Sequence, residues 1–259
     1  MSKQRLDARF KEILARGDKL FVPYIMAGDG GLDALNERIQ FLETCGASAI
    51  ELGLPFSDPV ADGETIQEAG IRALKSGATV QGVFDTLKVS KERNMPIILM
   101  TYMNPVYRYG IEAFAKACVD AGVSGLIIPD LPMEEEQMIT DILTQHDIAL
   151  IRLVALTSPT TRQEELKKRT EGFLYAVTVT GTTGERQTFT DRVHQYLAHL
   201  KNGANTPVLA GFGVSSEEQV KMLSGHCDGV VVGSRIVKAF HEGDRAIIKA
   251  MIEASKQST

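Results

Sequence analysis

Eight short apolar segments, many of them rich in β-branched residues, alternate with stretches of helical periodicity along the 259-residue chain. The apolar segments cover residues 20–28, 48–56, 96–104, 125–132, 148–156, 172–179, 207–213 and 228–234. The helical patterns cover residues 33–45, 80–93, 111–121, 134–145, 160–169, 191–201 and 216–223. Near-continuous apolarity is typical of parallel strands covered by helices. The alternation therefore predicts a parallel α/β sheet.

The number of strands favours a closed (β/α)8 barrel, or TIM barrel, over an open sheet. An open doubly wound sheet more often has about five to seven strands. A chain of 259 residues is typical of one such barrel. No low-complexity segment or break in composition divides it. We therefore expect a single barrel domain over residues 1–259.

Two segments exceed the basic repeat. Leu6, Phe10 and Leu14 share one face of a predicted N-terminal helix, and this apolar stripe is expected to cap the bottom of the barrel. The connection after the second strand is extended and reads PFSDPVADGETIQEAGIRAL. Because barrels keep their active sites at the carboxyl ends of the strands, this loop is expected beside the functional site.

Composition excludes several classes of function. The net charge is −5. This acidic balance argues against nucleic-acid binding, which needs a surface of clustered basic residues. No apolar run is long enough to cross a membrane, and the start, MSKQRLDARFKE, is too charged for a signal peptide. The three cysteines form no CxxC pair and the five histidines no ligand-like pairing. These features predict a cytoplasmic protein without a metal site.

Glu51 interrupts an apolar strand, and strand periodicity places it opposite Ile50 and Leu52. If that aliphatic pair faces the helices, Glu51 points into the barrel, where burial raises the pKa of its carboxyl group. A structural ion pair is the alternative to a functional role. Arg152 is the basic residue that the strand interiors offer as a partner, so the pattern favours a functional Glu51.

Further aspartates follow the strands. Asp58 and Asp62 lie in the loop SDPVADG, and Asp130 ends the fourth strand in LIIPDLP. Aspartates beside proline and glycine usually cap turns. Asp62 is the strongest candidate among them, because its loop is expected to overhang the barrel face toward which Glu51 points.

Glycines cluster where the last three strands end, in GTTG (181–184), GFG (211–213) and VGS (232–234). Glycine lets a backbone N–H approach a phosphate oxygen closely, and a helix beginning at Ser234 adds its N-terminal partial charge. Each glycine alone is an ordinary turn residue, but the cluster predicts a phosphate site. Arg235 is the less favoured alternative for that contact.

The types of residue that are missing narrow the chemistry further. The strand interiors lack the lysine of a Schiff-base aldolase, and the histidines do not provide the ligands of a metal aldolase. Acid–base carboxylates with a phosphate anchor then fit either proton-transfer isomerisation or a bond cleavage whose electron sink lies within the substrate.

Seven motifs, spread from the first strand to the last, resemble the tryptophan synthase α subunit family. They are FVPYIMAGD (21–29), ELGLPFSDPVADG (51–63), TYMNP (101–105), LIIPDLP (126–132), YAVTVTGTTG (175–184), GFGVSS (211–216) and DGVVVGS (228–234). The second is highly specific, whereas the glycine turns are shared with many phosphate-binding barrels. Glu64 and Thr182 depart from the family pattern, which often has proline and valine there, and neither change removes a proposed catalytic group.

The resemblance implies a lyase of tryptophan biosynthesis that cleaves indole-3-glycerol phosphate by a retro-aldol reaction to indole and glyceraldehyde 3-phosphate. Glu51 matches the general acid–base that protonates C3 of the indole, and Asp62 matches the carboxylate that accepts from the indole N–H. Thr183 matches a residue of a lid over 181–190 that hydrogen-bonds Asp62.

The resemblance also implies a substrate pocket and a partner. The residues that match the walls of the pocket are Phe21, Met100, Ile127, Tyr175, Phe212 and Val232. The residues that match the phosphate cradle are Gly184, Gly213, Gly233 and Ser234. The implied assembly is an α2β2 heterotetramer with the tryptophan synthase β subunit. Pro55, Asp58 and Asn104 of this chain match family positions near the interface with that subunit. No cofactor is expected in this chain, and pyridoxal phosphate is expected in the β partner.

Missing residues argue against two other phosphate-binding barrels, and two further interpretations remain open. A sugar-phosphate epimerase would need metal-ligand histidines, and indole-glycerol-phosphate synthase would need a strand lysine. A barrel kept as a weakly active activator of its partner, and an indole-forming lyase that works alone, are both compatible with the sequence.

Overall fold

The computed structural model describes residues 2–90, 93–178, 186–211 and 213–256, with the side chains of 186–190 left out. Within them nine strands form one parallel sheet of order β5-β4-β3-β2-β1-β9-β8-β7-β6. The strands are β1 Leu20–Met26, β2 Ile50–Gly53, β3 Ile97–Met100, β4 Val123–Ile127, β5 Ala149–Leu150, β6 Arg152–Ala155, β7 Leu174–Val177, β8 Val208–Gly211 and β9 Gly229–Val232.

The sheet closes at Ile151. β5 pairs with β4 on one side, and β6 pairs with β7 on the other. Ile151 lies between β5 and β6 and donates its N–H to the Leu126 carbonyl at 2.9 Å. The fifth predicted strand is therefore two short strands, because its two halves pair with different neighbours. The predicted barrel is confirmed.

Twelve helices are described around the sheet. They are α1 Ser2–Ala15, α2 Asp33–Cys45, α3 Glu64–Lys75, α4 Val80–Val89, α5 Met103–Tyr109, α6 Ile111–Asp120, α7 Gln137–Gln145, α8 Thr160–Arg169, α9 Arg186–Lys201, α10 Glu217–Ser224, α11 Ser234–Glu242 and α12 Arg245–Glu253. The predicted bounds of α2 and α8 are confirmed, whereas α4 ends earlier and α9 begins earlier than predicted. None of the described helices is long and apolar enough to cross a membrane.

Alternate strand residues divide the core into two layers. On β1, Val22, Tyr24 and Met26 belong to the cluster inside the barrel. Phe21 and Ile25 belong to the cluster between strands and helices. This is the two-residue period of a strand that is buried on both faces.

The predicted cap at the bottom of the barrel is confirmed. Leu6 and Phe10 of α1 are buried in the interior cluster, and Leu14 packs against it half-buried. The ring of Phe10 lies 6.1 Å from that of Phe173, centroid to centroid. A Cβ on Gly172, just before β7, would lie 2.8 Å from Leu6 Cδ2. The helix therefore closes the amino ends of the strands, and the open face is at their carboxyl ends.

Candidate active site

Glu51 lies inside the barrel as the second of the four residues of β2. Ile50 and Leu52 lie in the helix-side layer, as predicted. The residue is 2% exposed, and its Oε2 atom has no hydrogen-bond partner among the described residues. Burial, together with the nearby Asp62 carboxylate, raises the pKa of the Glu51 carboxyl group to about 8. A carboxyl group with this pKa can exchange a proton near neutral pH.

The alternative role for Glu51, a structural ion pair with Arg152, is wrong. The Arg152 guanidinium donates from Nε to Glu136 Oε2 at 2.7 Å and from Nη1 to the Leu150 carbonyl at 3.2 Å. Glu136 also binds Arg169 at 3.0 Å. Arg152 is therefore held by a network that does not include Glu51.

Asp62 is positioned by an aromatic side chain of the next strand connection. Its Oδ1 accepts from the Tyr102 hydroxyl at 2.9 Å, and the same hydroxyl accepts from the Ala61 N–H at 3.1 Å. The Tyr102 ring also lies 5.5 Å from that of Phe56. Burial raises the pKa of Asp62, and the bond from Tyr102 partly opposes the rise. Tyr102 was missed at the level of sequence, although TYMNP contains it.

Helix α3 anchors the loop that carries Asp62. It begins at Glu64, where an acidic residue suits the positive end of the helix dipole. Arg72, in its last turn, binds Asp29 through two hydrogen bonds, from Nε at 2.7 Å and from Nη2 at 2.9 Å. Asp29 is 4% exposed and follows β1. The unusual Glu64 is thus compatible with a fixed helix start.

The other candidate aspartates lie outside the barrel interior. Asp130 Oδ1 accepts from the Met103 N–H at 2.9 Å, and this caps the start of α5. Asp58 is exposed and accepts a hydrogen bond from the Ser57 hydroxyl. Asn104 is exposed as well, whereas Pro55 is buried. Pro55 is therefore covered within this chain, unlike the other two predicted interface residues, and its place at the interface stays a prediction.

Two tyrosines of the interior lie over glycines of neighbouring strands. A side chain on Gly53 would overlap the Tyr24 hydroxyl, and one on Gly211 would overlap the Tyr175 ring. Tyr175 was predicted for the pocket, but Tyr24 was missed. The glycine in GFG that precedes residue 212 thus makes room for a ring.

The predicted apolar walls divide between the two layers. Met100, Ile127 and Tyr175 lie in the interior cluster, where half-buried Leu153 and Val177 join them. Phe21 and Val232 lie in the helix-side cluster, so their placement in the pocket is wrong. The next residue on β1, Val22, and the preceding residue on β9, Val231, face the barrel interior instead.

The described glycine turns lie at the carboxyl-end face. Gly213 has φ of +90°, and Gly233 precedes α11, which begins at Ser234. The Gly233 carbonyl accepts from the N–H groups of Ile236 and Val237. The helix geometry leaves the N–H groups before them without a partner in the helix.

Arg235 turns away from this cradle, because its Nη2 lies 4.0 Å from Asp244 Oδ2 at the far end of α11. Three of the predicted residues, Thr183, Gly184 and Phe212, lie outside the described residues, as do residues 181–185 of the predicted lid over 181–190.

Comparisons with known proteins agree over nearly the full chain. The family described as "Tryptophan synthase alpha chain" matches residues 10–258. The tryptophan synthase alpha chain of Oceanobacillus iheyensis is 57% identical, with 98% of each chain covered. That of Bacillus cereus is 51% identical, with 96% of this chain and 97% of the relative covered.

Solved structures give the same result for the fold. A tryptophan synthase from Mycobacterium tuberculosis superimposes with a TM-score of 0.89 at 30% identity, covering 98% of this chain and 99% of that chain. The tryptophan synthase subunit alpha from Legionella pneumophila has a TM-score of 0.85 at 29% identity, with 96% and 97% covered. With this barrel, these carboxylates and these matches, the chain belongs to the tryptophan synthase alpha chain family, lyases of tryptophan biosynthesis that cleave indole-3-glycerol phosphate.

Proposed function

We propose that Glu51 and Asp62 carry out the carbon–carbon cleavage that converts indole-3-glycerol phosphate into indole and glyceraldehyde 3-phosphate. The observation that carries the proposal is Glu51 itself, a buried carboxyl group with an unpartnered oxygen and a pKa raised to about 8. In the barrel interior such a group holds a proton at neutral pH and can deliver it to a substrate that reaches it.

The proposed steps balance without a cofactor in this chain. Protonated Glu51 gives its proton to C3 of the indole, and Asp62 stabilises the positive charge that develops at the ring nitrogen. The bond from C3 to the glycerol chain then breaks, and its electron pair restores the aromatic ring. The adjacent hydroxyl becomes the aldehyde as its proton passes to the Glu51 carboxylate, which returns the residue to its starting state.

The phosphate is proposed to bind at the turns after β8 and β9. Gly213 and Gly233 present backbone at the carboxyl-end face, and α11 begins there at Ser234. The partial positive charge of a helix N-terminus favours a phosphate group. Thr183, Gly184 and Phe212 stay predictions for the same pocket.

The central test incubates the purified chain with indole-3-glycerol phosphate and measures indole. Wild type is expected to release indole, and Glu51→Gln is expected to lower kcat by a factor of roughly 10²–10⁴ or more, because the amide cannot transfer the proton. Circular dichroism checks that the variant remains folded. Near-normal turnover by a folded Glu51→Gln chain would contradict the assignment.

We further infer that the chain forms an α2β2 complex with a tryptophan synthase β subunit, which holds pyridoxal phosphate and receives the indole. The exposed apolar surface of the loop that carries Asp58 supports the inference, since Val60, in the same loop, is 82% exposed, and Ile71, 51% exposed, lines a surface depression together with Ser57 and Pro59. All three cysteines are buried and free, which supports a cytoplasmic location.

A further inference from the structure

Tyr24 has a position that the reaction described above does not yet use. It is the register partner of Glu51 on the adjacent strand, and it belongs to the same interior cluster as Tyr175. Only 4% of the residue is exposed. Gly53 leaves the space that its hydroxyl fills. The chain thus holds a phenol against the strand that carries Glu51.

The hydroxyl of Tyr24 has a poor partner for a buried group. In the described part of the chain it donates to the sulfur of Met26, at 3.9 Å. A thioether is a weak acceptor, whereas a buried tyrosine usually finds a good one. Burial, together with the carboxylates of Asp62 and Glu51, holds the pKa of Tyr24 well above its usual range. The phenol therefore remains a neutral donor at working pH.

Tyr24 also extends between the two ends of the proposed site. A Cβ on Gly233 would lie 3.8 Å from Tyr24 Cβ, so the base of this side chain is beside the phosphate turn. The tip of the side chain lies at Gly53, two residues beyond Glu51. In indole-3-glycerol phosphate, the segment between phosphate and indole is a three-carbon chain with two free hydroxyls.

We propose that the Tyr24 hydroxyl donates a hydrogen bond to a hydroxyl of the substrate's three-carbon chain, which makes Tyr24 a specificity-determining residue for the polyol phosphate. This inference rests on the proposed function. A phenol at this point distinguishes a hydroxylated chain from an aliphatic chain of the same length, because an aliphatic ligand provides no better acceptor than Met26.

The test compares Tyr24→Phe with wild type on two ligands. Indole-3-glycerol phosphate has the hydroxyls, whereas indole-3-propanol phosphate keeps the indole and the phosphate but lacks both. The variant is expected to lower kcat/KM for the substrate roughly 3- to 10-fold, the effect of one neutral hydrogen bond. The Kd of indole-3-propanol phosphate is expected to stay within about twofold. An unchanged kcat/KM, or an equal weakening of both ligands, would overturn the proposal.

A second measurement separates this proposal from the proposed function. The Kd of indole-3-glycerol phosphate is measured by calorimetry in the Glu51→Gln background, with and without Tyr24→Phe, so that no turnover is needed. Absence of indole from wild type contradicts the function. Normal indole release together with an unchanged Kd contradicts only the role of Tyr24.

Tyr196→Phe is the matched control for the loss of a buried phenol hydroxyl. Its hydroxyl donates to the Val154 carbonyl at 2.6 Å in the helix-side layer. This variant is expected to lose stability while kcat/KM and both affinities stay at wild-type values. A similar loss of kcat/KM in Tyr196→Phe would show that the effect of Tyr24→Phe is structural, and this would also overturn the proposal.

Discussion

At the scale of single residues, Glu51 opposes the stability of the fold that contains it. Its carboxyl group has a pKa of about 8 in the folded chain against an ordinary value of 4.5. The folded state thus binds the proton more tightly than the unfolded state does. Stability falls as pH rises from about 4.5 toward 8 and stays low above that value.

Glu51→Gln is therefore expected to stabilise the chain in alkaline buffer while it abolishes cleavage. The gain in unfolding free energy should be on the order of a few kcal/mol at pH values above the raised pKa, and it should shrink as the buffer approaches the ordinary value. Chemical denaturation across that range measures it. Glu135→Gln, at an exposed carboxylate, should show no such trend. A gain that does not vary with pH would contradict the raised pKa.

The face of the strand on which each residue lies explains which pocket residues could be predicted from the sequence. Glu51 was found because a single carboxylate breaks an apolar run and shows which side faces inward. On β1 and β9 both faces are apolar, so the pattern does not distinguish Phe21 from Val22 or Val232 from Val231. The tyrosine contacts with Gly53 and Gly211 join neighbouring strands, and only the register reveals them.

At the scale of elements, α3 matters because it follows the Asp62 loop directly. The predicted pattern did not include α3, since its glycine and its position within a loop obscure the helical period. The buried Asp29 holds its last turn through Arg72. This ion pair connects the insertion after β2 to the end of β1.

Arg72→Met is expected to lower both stability and kcat/KM. It leaves Asp29 buried without its partner, which should cost about 1–3 kcal/mol of unfolding free energy because Arg72 is partly exposed. Loosening of α3 should also disorder the Asp62 loop and lower kcat/KM several-fold. Chemical denaturation and indole assays measure the two effects.

The control for Arg72→Met is Arg245→Met, at an ion pair with Glu37 in which both side chains are about half exposed. That change should cost less than about 1 kcal/mol and leave kcat/KM unchanged. The double variant Asp29→Asn with Arg72→Met should recover part of the lost stability, because it removes the unpaired charge. Strictly additive losses would show that the pair is not coupled.

At the scale of the whole molecule, the sequence predicted a closed barrel of eight strand segments and its cap, but not that the fifth segment divides into two strands where the ring closes. The alternation of strands and helices fixes neighbours that follow one another along the chain. Closure at Ile151 depends on which strands each half of segment 148–156 meets. These strand pairings are determined by the geometry of the complete ring and not by the local residue pattern.

Val60→Asp is expected to weaken binding of the β subunit. A charge placed on an apolar contact surface must be buried unpaired in the complex, so the Kd should rise on the order of tenfold or more. Val89→Asp is the matched control, because Val89 is 84% exposed at the carboxyl-terminal end of α4. Sedimentation with the cognate β subunit measures both variants. Equal binding by wild type and Val60→Asp would remove this loop from the interface.

The N-terminal cap limits how small molecules enter and leave the barrel interior. Since Leu6, Phe10 and Phe173 fill the floor of the barrel, the interior is a well whose mouth lies at the carboxyl ends of the strands. A molecule that travels to Glu51 and the fragments that depart from it share that mouth. A protein bound over the mouth would therefore control both the entry of the next substrate and the direction in which the indole leaves.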